Sequence, residues 1–127
     1  MSHKTVLVIE DDRSIARLAE IILNEKGLQT HLCLDATSAV QIAQRVHPDL
    51  IILDIHMPRR SGISILKRLQ QDETTRVIPV IVNSVLTRRQ SIEQLKQMGA
   101  SDFVPKGAGI DALVDSVMYH LEPEHRV

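Results

Sequence analysis

Two short runs of branched aliphatic residues each stop at a carboxylate. Val6-Leu7-Val8-Ile9 runs into Glu10-Asp11-Asp12, and Leu50-Ile51-Ile52-Leu53 runs into Asp54. Four apolar residues without alternation read as strands covered on both faces, the kind found in parallel sheets. Ile55-His56-Met57-Pro58 follows Asp54 at once and breaks the strand. In an open parallel sheet, ligands bind outside the carboxyl ends of the strands. Two acid-tipped strands therefore gather several carboxylates in one crevice. Such a cluster repels itself unless a hard divalent cation or bound protons relieve it.

The rest of the chain supports that architecture. Strand-like and helix-like segments alternate five times, which predicts a parallel α/β sheet. Strands are expected over Thr5–Ile9, Gln29–Cys33, Leu50–Leu53, Pro79–Val82 and Ser101–Val104, the second being less apolar and fit for an edge. Helices are expected over Ser14–Lys26, Asp35–Val46, Gly62–Gln71, Arg88–Met98 and Ile110–Leu121. The first carries Ile15, Leu18 and Ile22 on its apolar face and is closed by Gly27. No repeat, linker or low-complexity tract divides the 127 residues, so they are read as one domain, 1–127, with its core over about 5–121.

Composition removes several function classes. A net charge of −1 leaves no electrostatic footprint for nucleic acid or a membrane surface. Phe103 and Tyr119 are the two aromatic residues and there is no Trp, so a base-stacking platform is implausible. One cysteine, Cys33, excludes an internal disulfide and fits a reducing compartment. Met1-Ser2-His3-Lys4 leads into a strand without a signal-peptide core, and no apolar stretch reaches membrane-spanning length. The expectation is a cytoplasmic protein.

Four of the five strands end in something specific: Glu10-Asp11, Asp54, Asn83-Ser84 and Pro105-Lys106. Right-handed crossovers bring these ends to one rim. Three carboxylates there suit Mg²⁺, which takes oxygen ligands and keeps waters. Lys106 adds a point charge suited to a phosphate, and the Ser84 hydroxyl can donate to a phosphoryl oxygen. Together these are parts for phosphoryl transfer to Asp54. Some neighbours have plainer roles. Asp12 is read as favouring the positive end of the helix that follows rather than as a ligand. Arg88, Arg89 and Lys96 are read as a solvated helix face, and Met57 and Met98 as loop or core fillers.

Val8-Ile9-Glu10-Asp11-Asp12, Pro48-Asp49 with Leu50 to Pro58 and Gly62, Ile78 to Ser84, and Gly99 to Lys106 occur in a telling order and spacing. From Val6 to about Leu121, the chain resembles the receiver domain of two-component response regulators. The resemblance implies a five-stranded parallel sheet in order 2-1-3-4-5, flavodoxin-like and doubly wound. It implies that Asp54 accepts a phosphoryl group, and that Asp11, Asp54 and the His56 backbone carbonyl bind Mg²⁺, with Glu10 acting through water. Lys106 would pair with the phosphoryl group, Ser84 would be the switch hydroxyl, and Phe103 the switch ring, a position that can equally be core. The His56 side chain is expected to face solvent.

Two positions depart from the family. Val85 is bulkier than the residue usual there and is expected to narrow the approach to Asp54. Gly107 follows Lys106 where Pro is usual.

Rival readings fare worse. A phosphohydrolase with an aspartyl nucleophile needs a second acid two residues on, where His56 stands. A flavin or nucleotide binder needs a Gly-, Ser- or Thr-rich loop after the first strand, and Glu10-Asp11-Asp12-Arg13 stands there. A degenerate docking surface would not keep the acidic set.

The expected role is a phospho-accepting signalling domain and not an enzyme, though one that assists its own phosphorylation and dephosphorylation. The resemblance implies a sensor histidine kinase or histidine phosphotransfer protein as donor and a downstream protein target, with no direct contact to nucleic acid or membrane. No DNA-binding segment follows Leu121, so the chain is expected to lack an output domain, either working alone or being a piece cut from a longer protein. Helix Ile110–Leu121 has no Lys or Arg, which disfavours the dimer used by winged-helix regulators.

Overall fold

The computed structural model describes residues 3–57, 61–85 and 92–122. The elements run β1 (Thr5–Ile9), α1 (Arg13–Glu25), β2 (Gln29–Cys33), α2 (Ala39–Val46), β3 (Leu50–Leu53), α3 (Gly62–Gln71), β4 (Val80–Ser84), α4 (Ile92–Gln97), β5 (Asp102–Pro105) and α5 (Ile110–Leu121). Tight 3-10 turns cover Ala36–Ser38 and Lys106–Ala108. The strands form one parallel sheet in the order β2-β1-β3-β4-β5, with β2 at an edge as expected. Among the described residues, no helix is long and apolar enough to cross a membrane.

The unbroken apolar runs follow from burial on both faces of this sheet. Side chains alternate along a strand. Val6, Val8, Leu50 and Ile52 therefore join Ala16, Ala19 and Leu23 of α1 and Leu113 and Val117 of α5 in one apolar layer. Leu7, Ile9, Ile51 and Leu53 join Val40 and Ala43 of α2, Ile65, Leu66 and Leu69 of α3 and Leu95 of α4 in the other. Each such fully buried Leu or Ile contributes roughly 1.5–3 kcal/mol by leaving water. Met57 lies in the second layer, and Met98 packs against it.

The register sets the rim. Ile9 lies beside Leu53, Leu53 beside Val82, and Ser84 beside Pro105. Glu10 and Asp54 therefore follow adjacent strand ends, and the Asp54 amide extends the ladder by donating to the Ile9 carbonyl at 3.0 Å.

Several boundaries differ from expectation for local reasons. α1 begins at Arg13 because the Asp12 carboxylate accepts from the Ser14 and Ile15 amides at 2.9 and 3.2 Å, as its reading as a helix-end acid implied. The helix ends before Gly27, whose φ of 86° no β-carbon favours. Its buried stripe is Ala16, Ala19 and Leu23, with Ile22 partly covered, while Ile15 and Leu18 stay exposed. The small alanines let α1 approach the sheet closely, which leaves the larger side chains at the flank.

α2 starts later than Asp35. That carboxylate accepts from the Thr37 amide and hydroxyl and winds the entry as a 3-10 turn. β4 starts after Pro79, which has no N–H to donate, and runs on through Asn83 and Ser84. β5 likewise runs one residue later, to Pro105. The expected fourth helix is described over Ile92–Gln97; Arg88 and Arg89 lie outside the described residues.

α3 starts at Gly62, directly against the turn that carries Asp54. The Gly62 amide donates to the Ile55 carbonyl at 2.9 Å. A β-carbon there would sit 2.4 Å from the Ile55 Cα and 2.5 Å from the Asp54 carbonyl oxygen. Both are backbone, so neither can yield cheaply. Gly62→Ala is expected to destabilise the fold by about 1–3 kcal/mol. Urea denaturation within about 0.5 kcal/mol of wild type would show that α3 does not need this close approach.

Candidate functional site

Glu10 and Asp54 are each 4 % exposed, an expensive setting for two carboxylates. Lys106 answers both. From the turn after β5 its ammonium donates to Glu10 Oε1 at 2.6 Å and to Asp54 Oδ2 at 3.2 Å. The second oxygens are satisfied separately. Asp54 Oδ1 accepts from the Ser84 hydroxyl at 2.9 Å and from the His56 amide at 3.0 Å. Glu10 Oε2 accepts from the Asp12 amide at 3.1 Å. Among the described residues, no buried side-chain nitrogen or oxygen lacks a partner.

The residues predicted from strand ends thus meet at one rim. Asp11 joins them from the exposed side: Glu10, Asp11 and Asp54 each offer a carboxylate oxygen within 4.8 Å of the others. An all-oxygen set of three carboxylates, open on one side to water, has the chemistry of a hard-cation site and fits Mg²⁺. Ser84 is buried and already touches Asp54, so it is no ordinary loop serine. Phe103 is half-buried and packs against the α2/α3/α4 layer. Asn83 straps β4 to β5, donating to the Val104 carbonyl at 2.9 Å.

Electrostatics reflect the crowding. Burial raises the Glu10 carboxyl to about 7; the Lys106 hydrogen bond pulls it down, and the Asp54 charge pushes it up further. Burial also lowers the Lys106 ammonium, but its bond to Glu10 and the charges of Asp54 and Glu10 outweigh that and hold it above its usual value.

Two details escaped the sequence. The His56 side chain is exposed, as expected, but its ring is engaged: Nε2 lies 3.2 Å from the Val85 carbonyl. Val85, expected to narrow the approach to Asp54, is 61 % exposed, and its carbonyl lies against the His56 ring. Beside the carboxylates, Ile15, Leu18 and Ala19 of α1 and Ile110 and Leu113 of α5 line an apolar groove.

Comparison with known proteins agrees with this geometry. Residues 6–118 match the response regulator receiver domain family. The polar-differentiation response regulator DivK of Brucella ovis is 28 % identical over 118 residues, 93 % of this chain and 96 % of that protein. The response regulator PleD of Caulobacter vibrioides is 36 % identical over 101 residues, 80 % of this chain and 22 % of that protein. The solved receiver domain of Francisella response regulator 1452 superposes with a TM-score of 0.83 at 32 % identity, covering 94 % of this chain and 97 % of that one. The chain belongs to the response regulator receiver family, a family of signalling domains.

A raised carboxyl has a stability signature. The Glu10 value in the fold lies above its ordinary 4.5, so its favourable contribution is complete below that value and is lost as pH rises through about 7. Glu10→Gln cannot ionise. Measured by denaturation without metal, wild type is expected to lose stability relative to this variant between pH 5 and pH 8. Parallel curves for the two proteins would show that Glu10 titrates normally.

Proposed function

We propose that this chain is a phospho-accepting switch, and that residues 1–127 act as one receiver unit with its core over about 5–121. Asp54 is the acceptor. The observation that carries the reading is the Asp54 carboxylate itself, held at once by the Lys106 ammonium, the Ser84 hydroxyl and the His56 amide at the rim of a parallel sheet.

The chemistry follows from those partners. An Asp54 oxygen attacks the phosphorus of a phosphohistidine, the P–N bond breaks, and the imidazole leaves with a proton. Charge builds on the phosphoryl oxygens, where fixed cationic and hydrogen-bonding groups contribute most. Lys106 follows the phosphoryl group, and the Ser84 hydroxyl turns from Asp54 to a phosphoryl oxygen. Asp11, Asp54 and the His56 carbonyl would hold Mg²⁺, with Glu10 acting through water. The metal would offset the carboxylate charge and the charge on the transferred group. Movement of Ser84 frees space beside β4, and Phe103, on the neighbouring strand, turns inward. The surface over α4 and α5 changes with it, for partner binding or onward relay.

The donor is a sensor histidine kinase or a histidine phosphotransfer protein, and the output is a downstream protein target. Exposed Ile15 and Leu18 beside the acceptor suit a protein donor better than a free metabolite. The setting is the cytoplasm, without direct contact to nucleic acid or membrane. Turnover is limited to the domain's own phosphoryl gain and loss, so it is not an enzyme.

Treatment with acetyl phosphate and Mg²⁺, read by mass spectrometry, is expected to add one phosphoryl group to wild type and none to Asp54→Asn. Equal labelling of the variant, or labelling unchanged by a chelator, would overturn the assignment. Lys106→Ala is expected to accept phosphoryl at a reduced level and to leave the amide shifts of Ile92–Gln97 near their unphosphorylated values. Wild-type shifts there in the phosphorylated variant would remove Lys106 from the coupling.

A further inference from the structure

Lys106 stands on a turn that is anchored from one side. Downstream, Lys106–Ala108 closes on itself, with the Gly109 amide donating to the Lys106 carbonyl at 3.2 Å. Gly107, Ala108 and Gly109 are exposed, and a β-carbon at Gly107 or Gly109 would meet nothing within 4 Å. Upstream, Pro105 pairs with Ser84 but has no N–H to give. The next backbone group back is the Val104 carbonyl, and it is held. The Asn83 side-chain amide, opposite Val104 in the β4/β5 register, donates to it at 2.9 Å.

Asn83 is an unexpected residue for its place. It is buried and lines the groove with Ile110 and Leu113, beside Glu10 and Asp54. Its register partner Val104 belongs to the apolar α1/α5 layer. A carboxamide costs free energy in such a setting unless it is hydrogen-bonded, and an aliphatic side chain would fill the space as well. The amide therefore acts through what it bonds, the carbonyl two residues before Lys106. The ammonium of that lysine is finely placed, 2.6 Å from Glu10 Oε1 and 3.2 Å from Asp54 Oδ2. A small turn at the end of β5 is carried along the whole lysine stem to its tip. We infer that Asn83 is a positioning residue: by holding the Val104 carbonyl it sets how β5 ends, and so how the Lys106 ammonium is divided between Glu10 and Asp54. The consequence for phosphoryl transfer rests on the phospho-acceptor reading; the placement of the ammonium does not.

The donor can be removed with or without the bulk. Asn83→Leu keeps a similar shape and donates nothing. Asn83→Ala removes both, and decides the case if the leucine variant fails to fold. In the unphosphorylated, metal-free protein, each is expected to hasten exchange of the Lys106 ammonium protons with water by roughly two- to tenfold, the factor one ordinary hydrogen bond is worth. The order parameter of Lys106 Nζ is expected to fall with it. Ile65→Val loosens the opposite apolar layer and is expected to leave both at wild-type values. Unchanged ammonium exchange in the Asn83 variants, or equal loosening by Ile65→Val, overturns the inference.

The transfer reaction supplies a second arm. Uptake from acetyl phosphate is expected to slow roughly two- to tenfold in Asn83→Leu. Added to Lys106→Ala, the same substitution is expected to slow it no further. Slowing by one factor in both backgrounds overturns action through Lys106. Wild-type uptake in Asn83→Leu, with the ammonium loosened, overturns the link to transfer. If wild type takes up no phosphoryl group, the proposed function fails, and ammonium exchange still decides whether Asn83 places Lys106.

Discussion

One ammonium shared by two buried carboxylates governs this site. Glu10 and Asp54 come from adjacent strands, almost wholly out of water, and Lys106 is the one cationic side chain bonded to both among the described residues. Buried charge of this kind is tolerated only when every lone pair and proton is answered. Here each carboxylate oxygen that Lys106 leaves is met by a backbone amide or by Ser84. The site is nonetheless poised. Glu10 is still pushed well above its ordinary range, chiefly by burial and further by the Asp54 charge, against the pull of the Lys106 hydrogen bond.

That tension connects fold to chemistry. The register of the parallel sheet puts Glu10 beside Asp54, with the α1/α5 apolar layer below the rim. If Asp54 takes up a phosphoryl group as proposed, that group would disturb the contacts of Lys106 and Ser84, since both face the Asp54 oxygens.

Much of this was legible beforehand. β1, β3, α3 and α5 match their expected spans because uniform apolar runs and 3.6-residue periodicity leave little choice. That Glu10, Asp54 and Lys106 meet at one rim could be read because each directly follows a strand. The edges were harder. Asn83, Ser84 and Pro105 look like loop in a linear reading, yet pairing between β4 and β5 carries them into the sheet. Ile15 and Leu18 look like core by spacing, whereas Ala16 and Ala19 take the inner position because small side chains seat a helix closer. The His56–Val85 bond joins residues 29 apart across two irregular loops, and no local pattern encodes a contact of that kind.

The shortage of aromatic rings has a spectroscopic consequence. Phe103 is the single phenylalanine, and it rests against an aliphatic layer of Leu, Ile and Val methyl groups. The one tyrosine, Tyr119, stacks edge-on with His120 near the end of α5. The magnetic field that a benzene ring casts on neighbouring methyl protons therefore has a single phenylalanine source in that layer. Aliphatic resonances displaced far upfield can be assigned to the Phe103 ring, and a small rotation of it is recorded directly in methyl shifts, without a label, a fluorophore or a second ring of its kind to confuse the signal.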